Sequence, residues 1–157
     1  MKEITLKNLS DTERFGKILS DIIGPGSLIC LNGDLGAGKT TLTQIIGKNL
    51  NVKEYVNSPS YSLMNTYNGT YQIHHYDLYK LGGVDDALDI GVEDYIYSDD
   101  YVVIIEWANK IQEILPKKRI EITIRIANNK RILKITGDGK FYAQLIKELS
   151  KNDSFRN

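Results

Sequence analysis

One eight-residue stretch constrains this chain of 157 residues more than any other part of it. It matches the phosphate-binding pattern G-x-x-x-x-G-K-[ST] without departure, and it reads Gly33-Asp34-Leu35-Gly36-Ala37-Gly38-Lys39-Thr40. Glycines in such a loop let backbone N–H groups close around phosphate oxygens with no side chain in the way. An apolar run over 28–31 precedes the loop, and a predicted helix over 39–50 directs its positive dipole end at the same anion. The order strand, loop and helix therefore predicts a nucleotide-binding unit.

The residues of this loop have separate expected roles in holding a nucleotide. Lys39 is placed to reach the β- and γ-phosphates, and the Thr40 hydroxyl is placed to bind Mg²⁺. Thr41 follows at a position suited to the α-phosphate. The predicted nucleotide contacts of the loop are Gly33, Leu35, Gly36, Ala37, Gly38, Lys39, Thr40 and Thr41.

Two carboxylates end β-rich runs and are the predicted catalytic acids. Glu106 closes the run Y-V-V-I-I-E, an apolar strand followed by an acid, and Asp77 closes the run Y-Q-I-H-H-Y-D. Because the carboxyl ends of parallel strands line the ligand crevice of an open sheet, both acids can face the phosphates. The alternative for each is an exposed acid at a strand end. His74 and His75 lie on opposite faces of the second run, so at most one of them faces the site.

The rest of the pattern predicts an α/β fold in a single domain over 1–157. Ser10 and Glu13 form a capping-box pattern at the start of the first predicted helix. Asn68-Gly69 predicts a hairpin between strands over 60–67 and 70–77, and Asn128-Asn129 predicts another between 119–127 and 131–136. A helix over 140–150 closes the chain. The expected architecture is a P-loop NTPase-like three-layer domain, with a mixed parallel and antiparallel sheet and helices on both faces.

Charge is distributed unevenly along a chain whose 20 Lys+Arg and 20 Asp+Glu cancel. Residues 81–106 carry eight acids and no Lys or Arg, whereas residues 107–157 carry twelve bases and five acids. The zero net charge gives no general attraction to nucleic acid or to an anionic membrane. Residues 81–106 are either a solvated acidic segment or a docking surface for a basic partner. A polar N-terminus and the lack of a long apolar run predict a cytoplasmic protein with no membrane contact.

Four motifs together resemble the TsaE (YjeE) family of small bacterial ATPases. They are the P-loop, S-P-S-Y-S-L at 58–63, H-Y-D-L-Y-K-L at 75–81 and I-E-W-A at 105–108. Ser60 stands where the family usually has Thr, and Lys80 stands where it usually has Arg. The resemblance implies an enzyme that uses ATP and Mg²⁺ and is needed for threonylcarbamoyladenosine in tRNA. It further implies that the protein resets a TsaD–TsaB type heterodimer, meets tRNA only through that complex, and does not transfer the group itself.

The resemblance also implies roles for individual residues of this chain. Lys39, Thr40 and Thr41 hold nucleotide and Mg²⁺, Glu106 is the second acid beside the metal, and Asp77 is a catalytic carboxylate. Three further residues complete the set: Ser60 in a loop that senses the γ-phosphate, Trp107 beside the site, and Arg131 packing against the nucleoside.

Three other functions stay open at this point. A small-molecule kinase has the same P-loop but usually brings arginines from a lid, and residues 81–106 contain no Arg or Lys. A GTPase usually has N-K-x-D, and the segment Asn109-Lys110-Ile111-Gln112 lacks the final acid. A module that binds nucleotide without cleaving it has no need of the two acids.

Overall fold

A computed structural model describes residues 1–59, 61–152 and 155 of the chain. Within these residues the strands are β1 Lys2–Leu6, β2 Leu28–Asn32, β3 Met64–Asn68, β4 Gln72–Asp77, β5 Val102–Glu106, β6 Ile120–Ala127 and β7 Lys130–Gly137. The helices are α1 Leu9–Ile22, α2 Lys39–Asn49, α3 Val84–Asp89, α4 Glu93–Ile96 and α5 Lys140–Lys151, with a 3₁₀ helix at Ala108–Ile114. None of the helices described is both long enough and apolar enough to cross a bilayer.

The seven described strands form one sheet in the order β1-β7-β6-β2-β5-β4-β3. Its centre is parallel, because β2 pairs with β5 and with β6 in the same direction and β4 pairs with β5 likewise. Its two sides are antiparallel, through the pairs β6–β7, β1–β7 and β3–β4. The predicted mixed sheet is confirmed. The carboxyl ends of β2, β4, β5 and β6 therefore lie along the same edge.

Helices cover both faces of this sheet, as predicted. Ile29 and Leu31 of β2 belong to a core with α1, α2 and α5, whereas Leu28 and Cys30 belong to a second core with α3, α4 and the 3₁₀ helix. Alternate residues of a strand point to opposite faces, so a strand buried on both sides is apolar at every position. The continuous apolar run before the P-loop is explained by this central position.

Both predicted hairpins form, although the first turns over residues 69–71 and not at Asn68-Gly69, because Asn68 is still in β3 and pairs with Gln72 of β4. Asn128 and Asn129, with φ of 51° and 64°, lie in the left-handed region that a two-residue turn between twisted strands requires and that Asn tolerates. The first hairpin begins later than expected, at Met64. Leu63 has a φ of 68°, and its N–H donates to the Pro59 carbonyl at 2.6 Å, so the chain turns here before it can extend.

The first helix begins earlier than the capping-box pattern predicts, and that prediction is wrong. Asn8 is the N-cap, and its side chain accepts a hydrogen bond from Asp11 N at 2.9 Å. The Asp11 carboxylate in turn accepts one from Lys7 N at 2.8 Å, and this bond, with help from Arg14, lowers the pKa of Asp11. Asn8 thus caps the helix two residues before the predicted cap, Asp11 ties the first turn back to Lys7, and Ser10 lies inside the helix.

We expect the stability of the fold to fall in mild acid because of His74. This side chain is 4% exposed, lies with its ring centroid 4.1 Å from that of Tyr95 and 4.5 Å from that of Tyr101, and is 3.2 Å from Thr66 Oγ1. Burial disfavours the charged imidazole and lowers the pKa of His74 below its ordinary 6.5. In mild acid His74 is therefore protonated more readily in the unfolded chain than in the folded chain. The contribution of neutral His74 to the free energy of unfolding is complete above the ordinary pKa and is lost as the pH falls through the folded pKa.

Urea unfolding of the wild type and of His74→Phe between about pH 7.5 and about pH 5.5 checks this expectation. The wild-type free energy of unfolding should fall by up to about 1.4 kcal/mol per pH unit more than that of the variant. If the free energy of unfolding fell equally with pH in the two proteins, His74 would not contribute to the loss of stability in acid.

Candidate functional site

The two predicted catalytic acids lie side by side at the carboxyl edge of the sheet. Asp77 and Glu106 are directly paired in the parallel register of β4 and β5, and their residues are 5% and 2% exposed. By strand alternation they share a face with Ile73 and Ile104, which pack in the same core as α2. Both carboxylates are therefore on the side of the sheet where the P-loop helix begins.

Backbone geometry explains the glycines of the P-loop. A Cβ at Gly33 would lie 2.5 Å from the Ile124 carbonyl, so only glycine lets the loop pack this closely on β6. Gly38 has a φ of 114°, and a Cβ there would meet nothing within 4 Å. The loop therefore rests tightly on the sheet at its start and borders open space where α2 begins, which suits the approach of a phosphate group.

The Lys39 side chain lies folded back into the loop. Its Nζ donates to the carbonyl oxygens of Gly33 at 2.5 Å and of Asp34 at 3.0 Å, and it is 4.4 Å from the centroid of the Trp107 ring. Burial lowers the pKa of Lys39, while Glu106 and other nearby carboxylates oppose that shift. The ammonium is thus held by neutral carbonyl acceptors. The charged oxygens of a phosphate are stronger acceptors and can replace them.

Both oxygens of Glu106 have side-chain partners. Thr40 Oγ1 donates to Glu106 Oε1 at 2.9 Å, and His75 Nε2 lies 2.6 Å from Glu106 Oε2. A hydroxyl and a carboxylate are the hard oxygen ligands that Mg²⁺ prefers, and Mg²⁺ at nucleotide sites usually takes one or two carboxylates together with substrate phosphates. Across residues 1–59, 61–152 and 155 there is no cluster of three or more His, Cys, Asp or Glu that could hold a metal. Thr40 and Glu106 fit a metal completed by nucleotide oxygens.

Asp77 is held by a loop and by the backbone that follows it. Ser58 Oγ donates to Asp77 Oδ2, and Tyr79 N donates to Asp77 Oδ1 at 3.0 Å. The segment before β3 is thereby attached to the acid at the end of β4. The prediction for Ser60, in the same segment, falls outside the described residues.

Two neighbouring cavities divide the predicted site residues between them. A cavity of about 350 Å³ brings together Lys39, Thr40, Asp77, Glu106 and Trp107, and Leu35 is also at its wall, although 66% exposed. A cavity of about 290 Å³ is lined by Ala37 and Arg131. Gly36, Gly38 and Thr41 line both cavities. Gly33 lines neither and takes part through its carbonyl bond to Lys39.

Arg131 contacts the P-loop itself, because its Nε donates to the Ala37 carbonyl at 2.9 Å. The apolar lining of this second cavity includes Leu6 and Leu9 at the start of the chain and Leu133 of β7. Its size and apolar walls suit the nucleoside part of a nucleotide whose phosphates occupy the loop.

Sequence reasoning missed three parts of the site. The sequence indicates His75 only as one of two histidines that could face the site, it gives Ser58 no role beyond its place in the S-P-S-Y-S-L motif, and it gives no sign of Leu6 or Leu9. Strand alternation and the serines after α2 were the available signals for the first two. The third depends on β1 pairing with β7, which no local pattern indicates.

Comparison with known proteins gives one consistent match. The family model described as "Threonylcarbamoyl adenosine biosynthesis protein TsaE" matches residues 6–133. The tRNA threonylcarbamoyladenosine biosynthesis protein TsaE of Bacillus subtilis (strain 168) is 35% identical over 152 residues, covering 96% of this chain and 94% of the relative. The Haemophilus influenzae protein of the same name is 34% identical and covers 87% of this chain and 90% of the relative. The crystal structure of Bacillus subtilis YdiB superposes with a TM-score of 0.79 at 30% identity, over 96% of this chain and 94% of that one.

Proposed function

The chain belongs to the TsaE family, and from that premise we propose that it hydrolyses ATP in the biosynthesis of threonylcarbamoyladenosine on tRNA. The observation that carries the proposal is the hydrogen bond between Thr40 of the P-loop and Glu106 at the end of β5. It joins a phosphate-binding loop to a buried acid at one cavity, and these are two of the parts that cleavage of a phosphoanhydride needs. β1 and β7, from opposite ends of the chain, pair in the same sheet, which supports a single ATPase domain over 1–157.

Binding of ATP is proposed to use both cavities. The phosphates take the larger one, where P-loop N–H groups cradle them and Lys39 exchanges its carbonyl partners for β- and γ-phosphate oxygens. The nucleoside takes the smaller one, against Leu6 and Arg131. Bound Mg²⁺ supplies positive charge that neutralises the phosphate oxygens during cleavage. Thr40 and Glu106 are the residues proposed to hold it.

Asp77 is proposed to orient the attacking water. Thr40 contacts Glu106, and Asp77 lines the same cavity with its two oxygens fixed by Ser58 and by Tyr79 N. A carboxylate held in this way can accept a hydrogen bond from water without moving during the reaction. Glu106 is thus proposed to bind the metal, and Asp77 to orient the water.

The proposed partner is a TsaD–TsaB type heterodimer in the cytoplasm, through which the protein acts on tRNA only indirectly. Seven of the eight acids in residues 81–106 are exposed, and Glu106 is the buried exception. The exposed carboxylates of this segment support docking to a basic face, and such docking weakens as salt screens it.

An ATP-hydrolysis assay of the chain alone and with the TsaD–TsaB pair tests the proposal. We expect slow turnover by the isolated chain and faster turnover with the pair, with the gain shrinking as salt is raised. Rapid hydrolysis without the pair, or transfer of the phosphoryl group to a metabolite, would contradict it, and the second result would indicate a kinase. A gain in turnover that is independent of salt would show that the exposed acids of residues 81–106 take no part in docking.

A further inference from the structure

We propose that His75 positions Glu106 by holding one of its carboxylate oxygens, so that the other stays directed at Thr40 and the Mg²⁺ site. This inference rests on the proposed function, because it assigns a role within the same ATP site. His75 does not line the cavity that holds Lys39 and Asp77, and it reaches that site through its contact with Glu106, so it is a positioning residue that acts through the acid.

Strand register puts the two residues in reach of each other. His75 lies two residues before Asp77 on the same face of β4, and β4 runs parallel to β5, which ends in Glu106. His75 Nε2 and Glu106 Oε2 are 2.6 Å apart, and the two side chains are 0% and 3% exposed. The contact is therefore short and sealed from water, unlike the Thr40 side of the same carboxylate, which lines the cavity.

The hydrogen-bond partners of the two side chains indicate that the proton between them belongs to His75 Nε2. A buried carboxylate that lacks a donor bears the full cost of leaving water, so Glu106 Oε2 needs a donor and His75 Nε2 is the side-chain atom beside it. His75 Nδ1 has no hydrogen-bond partner among the residues that the structure describes. A proton on Nε2 is donated to Glu106 and leaves Nδ1 as an unpaired acceptor, whereas a proton on Nδ1 would be a buried N–H with no partner among the described residues.

The consequence is a carboxylate anchored at one oxygen. With Oε2 bound to His75, rotation of the Glu106 side chain is restricted and Oε1 keeps its direction toward Thr40 Oγ1. Groups that hold a metal ligand in this way typically alter metal affinity by about 10- to 100-fold when they are replaced. A histidine that only filled space would affect folding and leave the response to Mg²⁺ unchanged.

Imidazole NMR on the wild type tests the hydrogen bond without nucleotide or metal. The chain has two histidines, so a spectrum of His74→Phe assigns the His75 nitrogens directly. We expect the ¹⁵N shifts of His75 to show a protonated Nε2 and a bare Nδ1. The reverse tautomer would overturn the proposal, because Nε2 would then have no proton to donate to Glu106.

A Mg²⁺ titration of two variants tests the positioning role. His75→Phe keeps a ring without a donor, and His75→Gln restores an N–H donor of similar reach. For His75→Phe we expect ATP affinity in EDTA within about twofold of the wild type and a half-saturating Mg²⁺ concentration raised by about 10- to 100-fold, with His75→Gln recovering part of that loss. His74→Phe, on the opposite face of the strand, is the matched control and should respond to Mg²⁺ as the wild type does.

A wild-type Mg²⁺ response in His75→Phe, or no recovery in His75→Gln, would overturn the positioning role. Absence of ATP binding and hydrolysis by the wild type would instead contradict the proposed function. The NMR result is independent of that outcome, so the two failures can be told apart.

Discussion

Replacing Lys39 with alanine should weaken ATP binding by roughly a hundredfold. Lys39 Nζ lies within the loop, bonded to the carbonyls of Gly33 and Asp34, and a bound nucleotide offers it charged oxygens instead. Two charge-assisted hydrogen bonds of about 1.5 kcal/mol each correspond to about a hundredfold in the dissociation constant. Isothermal titration calorimetry with ATP and Mg²⁺ measures the change.

Lys48→Ala is the matched control for this prediction. Lys48 is an exposed lysine in the last turn of the same helix, α2, so its loss removes a charge without touching the loop. It should bind ATP within about twofold of the wild type, the change expected of a surface substitution. Equal ATP affinities for Lys39→Ala and the wild type would show that the loop does not bind phosphates through this side chain.

Glu106→Gln should retain ATP binding and lose ATP turnover by on the order of a hundredfold. Glutamine keeps the shape of the side chain and a hydrogen-bonding oxygen for Thr40, but it removes the negative charge proposed to hold Mg²⁺. The affinity for the nucleotide itself depends mainly on the loop and on Lys39, and so it should change little. Phosphate release under saturating ATP, together with an ATP dissociation constant measured in EDTA, separates the two effects.

Glu113→Gln gives the comparison for that experiment. Glu113 lies on the 3₁₀ helix that follows β5, is exposed, and carries the same charge. Its turnover should match the wild type. If Glu106→Gln also turned over ATP at the wild-type rate, the assignment of the metal-side acid would be wrong.

Local sequence patterns were sufficient to predict the centre of the site. The P-loop is contiguous, and the apolar run before Glu106 marks a buried parallel strand whose carboxyl end must lie at the ligand edge. The pairing of Asp77 with Glu106 follows once β4 is placed beside β5. Local sequence patterns do not indicate which strands are neighbours in the sheet. Alternation with Asp77 puts His75 rather than His74 on the face of the site, yet only the structure shows that His75 contacts Glu106.

The parts that were missed depend on contacts between distant segments or on competition between nearby side chains. The smaller cavity needs Leu6 of β1 beside Arg131 of β7, and their pairing closes a loop of more than half the chain. The sequence misplaces the start of α1 because both Asn8 and Ser10 are residues that can cap a helix, and Asn8 takes that position in the structure. Sequence patterns rank such competitors poorly, because a cap at either position would satisfy an orphan backbone donor of the first turn.

A crystal structure with a non-hydrolysable ATP analogue and Mg²⁺ would show directly which residues hold the phosphates and the metal. We expect Lys39 Nζ to leave the Gly33 and Asp34 carbonyls for the β- and γ-phosphates, and Thr40 Oγ1 and Glu106 to bind Mg²⁺ together with phosphate oxygens. The contact between His75 and Glu106 should stay intact. A nucleotide bound elsewhere, or a metal held by Asp77 with Glu106 turned away, would contradict these assignments.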